Sequence, residues 1–139
     1  MNEQIQIFCN ELNGDLERER KAQIQYEQHA SLLSGWYFSF SNEILEHAAE
    51  EREHANKLND LIVLLGGVPS VLVETPEISS DCHEMFVQDL SGENEAIARY
   101  KSRINQARSY EITEAEYVLL DILNDETGHK NFLLSVLGE

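Results

Sequence analysis

Positive charge is scarce in this chain. Ten Lys and Arg face 26 Asp and Glu, a net charge of −16. Such a surface repels nucleic-acid phosphates and anionic lipids, so neither nucleic acid nor a membrane is expected as a partner. Proline is nearly absent, with two residues in 139, and the seven glycines sit mostly where elements would end. Long helices are favoured over a sandwich or barrel. No apolar run approaches the ~20 residues of a membrane span. The N-terminus, Met1-Asn2-Glu3-Gln4-Ile5, has neither the basic nor the apolar part of a secretory signal, so a cytoplasmic location is expected. Cys9 and Cys82 are too few and too far apart for a disulfide framework, and each reads as a small buried or half-buried residue. What is present is 42% hydrophobic residues, enough for a core, and a length that suits a single domain over residues 1–139.

The apolar residues recur with the helical period and define four amphipathic helices. The first is expected from Glu3 to Leu33, with the inward stripe Ile5, Phe8, Leu12, Leu16, Glu19, Gln23, Tyr26, Ala30 and Leu33. The second begins near Ser39 or Ser41, either of which could cap it, and ends at Gly66-Gly67. Its stripe runs Ile44, Ala48, Glu51, Ala55, Leu58, Ile62, Leu65. Residues 67–81 hold both prolines and read as non-helical. The third starts near Asp81, capped by Ser80 or Asp81, with the stripe Phe86, Leu90, Glu93, Ile97, Tyr100, Ile104, Ala107. The fourth starts at Thr113, where Thr113-Glu114-Ala115-Glu116 reads as a capping box, and turns Leu119, Ile122, Glu126, His129, Leu133 and Val136 inward. The first and last connections are short, which makes antiparallel neighbours. The middle one is long enough to run the length of the molecule, leaving the second and third helices parallel. The expected fold is all-α, a four-helix bundle with one long crossover. Cys9 and Cys82 then lie at opposite ends and cannot be bridged.

One pattern occurs twice on this frame. Glu19 on one helix is followed by Glu51-Arg52-Glu53-His54 on the next, and Glu93 is followed by Glu126-Thr127-Gly128-His129. Each stripe thus carries one Glu among mostly apolar neighbours, and at ~1.5 Å rise per residue the four fall at one level. Each His lies three residues on from its Glu, on the same helical face. A carboxylate in a core is costly unless it is paired or protonated, and four together need compensation. Arg18, Arg20 and Lys21 flank Glu19 but point off its stripe. Two divalent cations would neutralise four carboxylates, and mixed oxygen and imidazole ligation suits iron, manganese or zinc. The bland alternative, surface charge on a solvated bundle, is hard to reconcile with the in-register repeat.

These residues carry a family likeness. The chain resembles bacterioferritins, within the ferritin-like di-iron superfamily, through Glu19-x6-Tyr26-x2-His29-Ala30, Glu51-Arg52-Glu53-His54-Ala55, Gly66-Gly67-Val68-Pro69, Asp89-Leu90-x2-Glu93 and Asp125-Glu126-Thr127-Gly128-His129. The resemblance implies two iron ions per subunit. Glu19 and His54 would be terminal ligands of one, Glu93 and His129 of the other, and Glu51 and Glu126 would bridge. It implies an electron-donor role for Tyr26, which otherwise reads as a core aromatic with a satisfied hydroxyl. It places His47 and Glu50 where the family has groups that support the ligands or handle iron at the inner surface; as plain polar-face residues they read equally well. It also implies ferroxidase activity, Fe²⁺ being oxidised by O₂ or H₂O₂ and Fe³⁺ stored in a homo-oligomeric cage.

Two departures modify those expectations. Arg52 stands where the family commonly has the haem-ligating methionine, and Met1 and Met85 are the only methionines, so haem is not expected at that position. The sequence stops at Glu139, right after the fourth helix. The short fifth helix that lines the four-fold axis of 24-subunit shells is missing, which puts a 12-subunit cage beside the 24-subunit one. A rubrerythrin-like di-iron peroxidase without storage is the alternative, lowered by the lack of a Cys-x-x-Cys module. A DNA-coating mini-ferritin is disfavoured by the charge. His29 reads as a surface residue one step off the stripe, and His83 as a capping or solvent-facing one. Trp36 and Tyr37 are expected on the bundle end or at a subunit contact.

Overall fold

The computed structural model describes residues 2–138; Met1 and Glu139, both named above, lie outside the described residues. Asn2 opens the first helix by accepting a 2.8 Å hydrogen bond from the Ile5 N–H, which satisfies one otherwise orphaned donor. Helix α1 spans Glu3–Leu32, α2 Ser41–Leu64, α3 Cys82–Ser109 and α4 Thr113–Leu137. A 3₁₀ turn, Gly35–Phe40, joins α1 to α2. Among the described residues there is no strand, and no helix is long and apolar enough to cross a membrane.

The helix ends only partly follow the expected chemistry. Phe40, not Ser39 or Ser41, is the N-cap of α2. The two serine hydroxyls instead donate back to the Trp36 and Phe38 carbonyls and brace the 3₁₀ turn. Asp81 does precede α3, but its side chain caps nothing. The capping box at Thr113 is absent: Ile112 holds the cap position without a side-chain bond. Glu116 is drawn away to the Arg108 guanidinium at 2.9 Å. At the other ends, α2 and α3 close with the same motif. Gly66 (φ 90°) and Glu111 (φ 58°) adopt the left-handed conformation. Gly67 N–H then reaches the Ile62 carbonyl and Ile112 N–H the Ala107 carbonyl, both at 2.9 Å.

The crossover climbs along α1. Asn13 donates to the Val68 carbonyl, Glu74 N–H to the Glu17 carbonyl, and Glu77 N–H to the Gln25 side chain. Ser34, just past α1, then lies 3.8 Å from Cys82 at the start of α3. This ascent fixes α2 and α3 as parallel. Cys82 therefore sits at the end opposite Cys9, which packs beside Gly67, and both thiols are free.

The interior is two apolar clusters with a polar layer between them. One gathers Phe8, Leu12 and Leu16 with Leu58, Ile62, Tyr100, Ile104, Leu119 and Ile122. The other gathers Tyr26, Ala30, Ile44, Ala48, Phe86 and Leu133. The four glutamates fall where the clusters meet.

Two sequence expectations about burial are corrected here. Gln23 is only half-buried and bonds along its own helix to Glu27, while Gln25 is buried. His29 is not on the surface: it is 1% exposed, its Nδ1 2.9 Å from Asp89 on α3. Helix α1 meets α2 on one side and α3 on the other, so its buried face is wider than a single stripe. His83 is exposed, as read. Tyr37 packs on Phe86 at the bundle end, whereas Trp36 is 63% exposed.

Candidate metal centre

The polar layer brings together the six side chains that the repeat singles out. Glu19, Glu51, Glu93, Glu126, His54 and His129 are all buried. They form two overlapping groups whose donor atoms lie within 4.8 Å of one another: Glu19, Glu51, His54 and Glu126, and Glu51, Glu93, Glu126 and His129. Glu51 and Glu126 belong to both groups.

Both imidazoles aim Nδ1 inward. His54 Nδ1 stands 3.4 Å from Glu19, 3.2 Å from Glu51 and 3.6 Å from Glu126. His129 Nδ1 stands 3.4 Å from Glu51, 3.3 Å from Glu93 and 3.2 Å from Glu126. Each Nε2 faces away and meets a carboxylate at 2.8 Å: Asp125 for His54 and Glu50 for His129. Such outward bonds fix the ring and its tautomer and make the inward nitrogen a better ligand.

Two tyrosines complete the arrangement. Tyr26 donates its hydroxyl to Glu93 Oε1 at 2.8 Å, and Tyr100 donates a short hydrogen bond to Glu19 Oε1. The other oxygens, Glu19 Oε2 and Glu93 Oε2, have no hydrogen-bond partner, nor do Glu51 Oε1, Glu126 Oε1 and His54 Nδ1. Five buried polar atoms left unpartnered in one place would cost several kcal/mol in total. Two cations at this point would satisfy them, so the donor set fits a pair of divalent metals.

The electrostatics agree. Burial pushes the Glu51 carboxyl well up, reinforced by Glu126, Glu19 and Glu93. Burial and then Glu126 raise Glu19, and the same causes raise Glu93 to about 8. Burial also opposes ionisation of Glu126, but the adjoining Glu51 carboxyl and the two nearby imidazoles hold it low. For His54 and His129 burial works against the charge, yet the surrounding glutamates prevail and lift them to about 9 and about 11. No Lys or Arg among the described residues pairs with the four glutamates; Arg99 and Arg103 answer a different buried acid, Asp15.

A cavity of about 340 Å³ reaches the cluster between α1 and α3, beneath the crossover. Glu19, Glu51, Glu93, Glu126, Tyr26, Gln25 and Asp89 lie on its wall, with Glu74, Glu77, Glu84 and Glu95 toward solvent. His47 is buried and stacks on His129 with ring centroids 4.1 Å apart. Its Nδ1 has no partner, and burial followed by the His129 charge lowers it to about 3. Arg52 points to solvent from α2.

The sequence reading missed Tyr100 and Asp125 as partners of the cluster and the buried Gln25–Asp89–His29 network. Tyr100 was legible as the stripe residue two turns beyond Glu93. Nothing in the sequence said that its hydroxyl crosses to Glu19.

This architecture, four helices with a crossover and two Glu-x-x-His pairs facing inward, is a four-helix bundle whose buried carboxylates and imidazoles could hold a pair of metal ions. The profile of the ferritin-like domain matches residues 9–139, and the chain belongs to the ferritin-like family, with its likeness to bacterioferritins. It is 32% identical to the bacterioferritin of Brucella melitensis over 124 residues, 88% of this chain and 77% of that protein. Among solved structures, a ferritin-like di-iron-carboxylate protein from Bacillus anthracis superposes with a TM-score of 0.94 at 31% identity, covering 99% of both chains. A dodecameric thioferritin, the bacterioferritin-related protein of Bacteroides fragilis, superposes with a TM-score of 0.87 at 28% identity, covering 96% of this chain and 86% of that one.

Proposed function

We propose that the chain is a single ferritin-like domain that oxidises Fe²⁺ with O₂ or H₂O₂ and stores Fe³⁺ inside a homo-oligomeric cage. The observation that carries this reading is the pair of overlapping four-donor groups sharing Glu51 and Glu126. Family membership and the iron chemistry named for the Bacillus anthracis neighbour support it.

Iron is the substrate. Glu19 and His54 hold one ion, Glu93 and His129 the other, and Glu51 and Glu126 span both. Four carboxylates against two Fe²⁺ leave the buried site neutral, which removes the desolvation penalty of either charge set alone. Asp125 and Glu50 keep the imidazoles oriented through Nε2. Tyr26, bonded to Glu93, is placed to supply an electron. His47 and Glu50, against His129, support that ligand on the α2 face. With Arg52 in place of methionine, no haem is assigned to that position. A cage of 12 subunits is the form we favour, by analogy with the dodecameric neighbour from Bacteroides fragilis, with 24 as the other closed shell.

The deciding experiment adds Fe²⁺ aerobically, measures the mass of the native assembly by light scattering, and counts iron per chain. The expected result is a closed multimer that retains far more iron than two ions per chain. A monomer or dimer would end the storage reading. Rapid peroxide turnover without mineral would leave the di-iron peroxidase in its place.

A further inference from the structure

Reduction of O₂ to water takes four electrons, and two Fe²⁺ supply two. Stopping there yields H₂O₂ beside a cluster of oxidisable side chains. Two tyrosines touch this cluster, in equivalent places. Tyr26 donates its hydroxyl to Glu93 and Tyr100 to Glu19. In each glutamate the oxygen beyond the tyrosine has no partner and is free for metal. Each phenol is thus one carboxylate away from an iron position, with a proton acceptor already bonded to it.

We propose that Tyr100 is a second electron-donating residue, working with Tyr26 so that one pair of Fe²⁺ and one pair of tyrosines together take O₂ to water. The inference rests on the ferroxidase reading above. In each tyrosine the O–H bond breaks, the proton passes by way of the bonded glutamate to the reduced oxygen and the electron goes to the same oxygen; the two further protons come from solvent through the cavity. The sum is O₂ + 2 Fe²⁺ + 2 TyrOH + 2 H⁺ → 2 Fe³⁺ + 2 TyrO• + 2 H₂O, with oxygen reduced and iron and phenol oxidised. The two tyrosines differ in their surroundings. Tyr26 lines the cavity that reaches solvent and lies edge-on to His47 and His129. Tyr100 is fully buried in the apolar cluster of Phe8, Leu12, Leu16 and Ile104. A radical on Tyr100 is shielded from reductants and outlives one on Tyr26.

The test compares wild type, Tyr26→Phe, Tyr100→Phe and the double variant. Each is first titrated anaerobically with Co²⁺, which is not oxidised at this step, to count intact sites by its visible spectrum. Each is then given two Fe²⁺ per chain and O₂, with radicals followed by freeze-quench EPR and peroxide measured per O₂ consumed. Tyr26→Phe should keep a long-lived tyrosyl signal that the double variant lacks. One lost tyrosine leaves three electrons for O₂, so roughly half of it should end as peroxide in either single variant under single-turnover conditions, and nearly all in the double. Weaker Co²⁺ binding by Tyr100→Phe with an unchanged peroxide yield would make Tyr100 a mere brace for Glu19 and overturn the proposal. So would the absence of any radical in Tyr26→Phe. Should Tyr100→Phe fail to fold, ring-fluorinated tyrosine at position 100 of Tyr26→Phe keeps the hydroxyl, and a tyrosyl signal without fluorine splitting there would overturn the assignment. If the wild type binds two Co²⁺ but takes up no O₂ with Fe²⁺, the ferroxidase reading falls and this inference with it. Normal uptake with peroxide yields independent of Tyr100 removes this inference alone.

Discussion

The molecule is two helical hairpins, α1–α2 and α3–α4, that carry the same three-residue plan but surround it differently. The first supplies Glu19, Glu51 and His54, the second Glu93, Glu126 and His129. Each hairpin's groups are braced by the other. Tyr100 and Asp125 of the second hold Glu19 and His54 of the first. Tyr26 and Glu50 of the first hold Glu93 and His129 of the second. The half around Glu19 is backed by the dry cluster that contains Tyr100. Both halves reach the cavity, through Glu19 and Glu93, but on the Glu93 side the bonded tyrosine, Tyr26, also lines it and His47 stacks on the imidazole. The lesson is that a repeat fixes which atoms can bind a cation, while the packing behind them decides how wet, how rigid and how oxidisable each half is.

The comparison breaks first at the shared carboxylates. Glu51→Ala or Glu126→Ala removes a donor from both halves at once. Fast Fe²⁺ oxidation in stopped flow should fall roughly a hundredfold or more, since several kcal/mol of cation stabilisation is lost. The metal-free bundle of Glu51→Ala should melt no lower than wild type, because an acid that burial disfavours is gone, whereas Glu126→Ala should melt lower, because it takes away the carboxylate that faces both imidazoles. Normal kinetics in both variants would place the chemistry elsewhere.

The braces separate the halves. Asp125→Asn should weaken binding at the Glu19–His54 side and Glu50→Gln at the Glu93–His129 side, each by roughly 10–100-fold. Stepwise Co²⁺ titration should show one tight and one weakened ion in each variant; equal weakening of both ions would refute the assignment of one brace to one half.

Acid–base behaviour sharpens the contrast in the metal-free protein. Glu93 rises from 4.5 to about 8 on folding, and His54 and His129 rise from 6.5 to about 9 and about 11. A group raised in the folded state contributes its stability fully below the unfolded value and loses it as pH climbs through the folded one. Glu93 therefore loses its share between about pH 4.5 and 8, and the imidazoles lose theirs above 6.5, His129 later than His54. Thermal melts of metal-free protein should show the melting temperature falling from mildly acid to alkaline pH. Bound metal prefers the deprotonated ligands and should flatten that slope; a metal-free melting temperature that rises over this range would contradict the account.

The smallest effects lie at the hairpin ends. A Cβ on Gly67 would stand 3.0 Å from Ile62 and 3.1 Å from the Cys9 sulfur. Gly67→Ala should therefore destabilise the bundle by roughly 1–3 kcal/mol in urea unfolding. Glu111 holds a left-handed conformation in the turn of the second hairpin, where the first hairpin's α2 ends on Gly66. Glu111→Gly should stabilise by about 0.5–1 kcal/mol in the same unfolding experiment.

Much of this was legible in the sequence. Helical periodicity gave four helices, their inward faces and the level at which Glu19, Glu51, Glu93 and Glu126 would meet. The length of the middle connection gave the parallel α2 and α3. Their roles as iron ligands, and those of Tyr26, His47 and Glu50, are part of the proposal. Less legible was what depends on side chains competing for partners. Thr113 looked like a cap, but Glu116 prefers Arg108. His29 looked exposed, but α3 offers it Asp89.

The sequence by itself determined the fold class, the repeated donor set and the excess of buried negative charge, because these follow from period and spacing along single helices. Only the tertiary structure decided that Tyr100 meets Glu19, that Asp125 and Glu50 orient the imidazoles, and that Tyr26 lines the cavity while Tyr100 lies in an apolar cluster. Those contacts depend on the rotation and axial offset of one helix against another, which packing across the whole bundle sets and no single helix encodes.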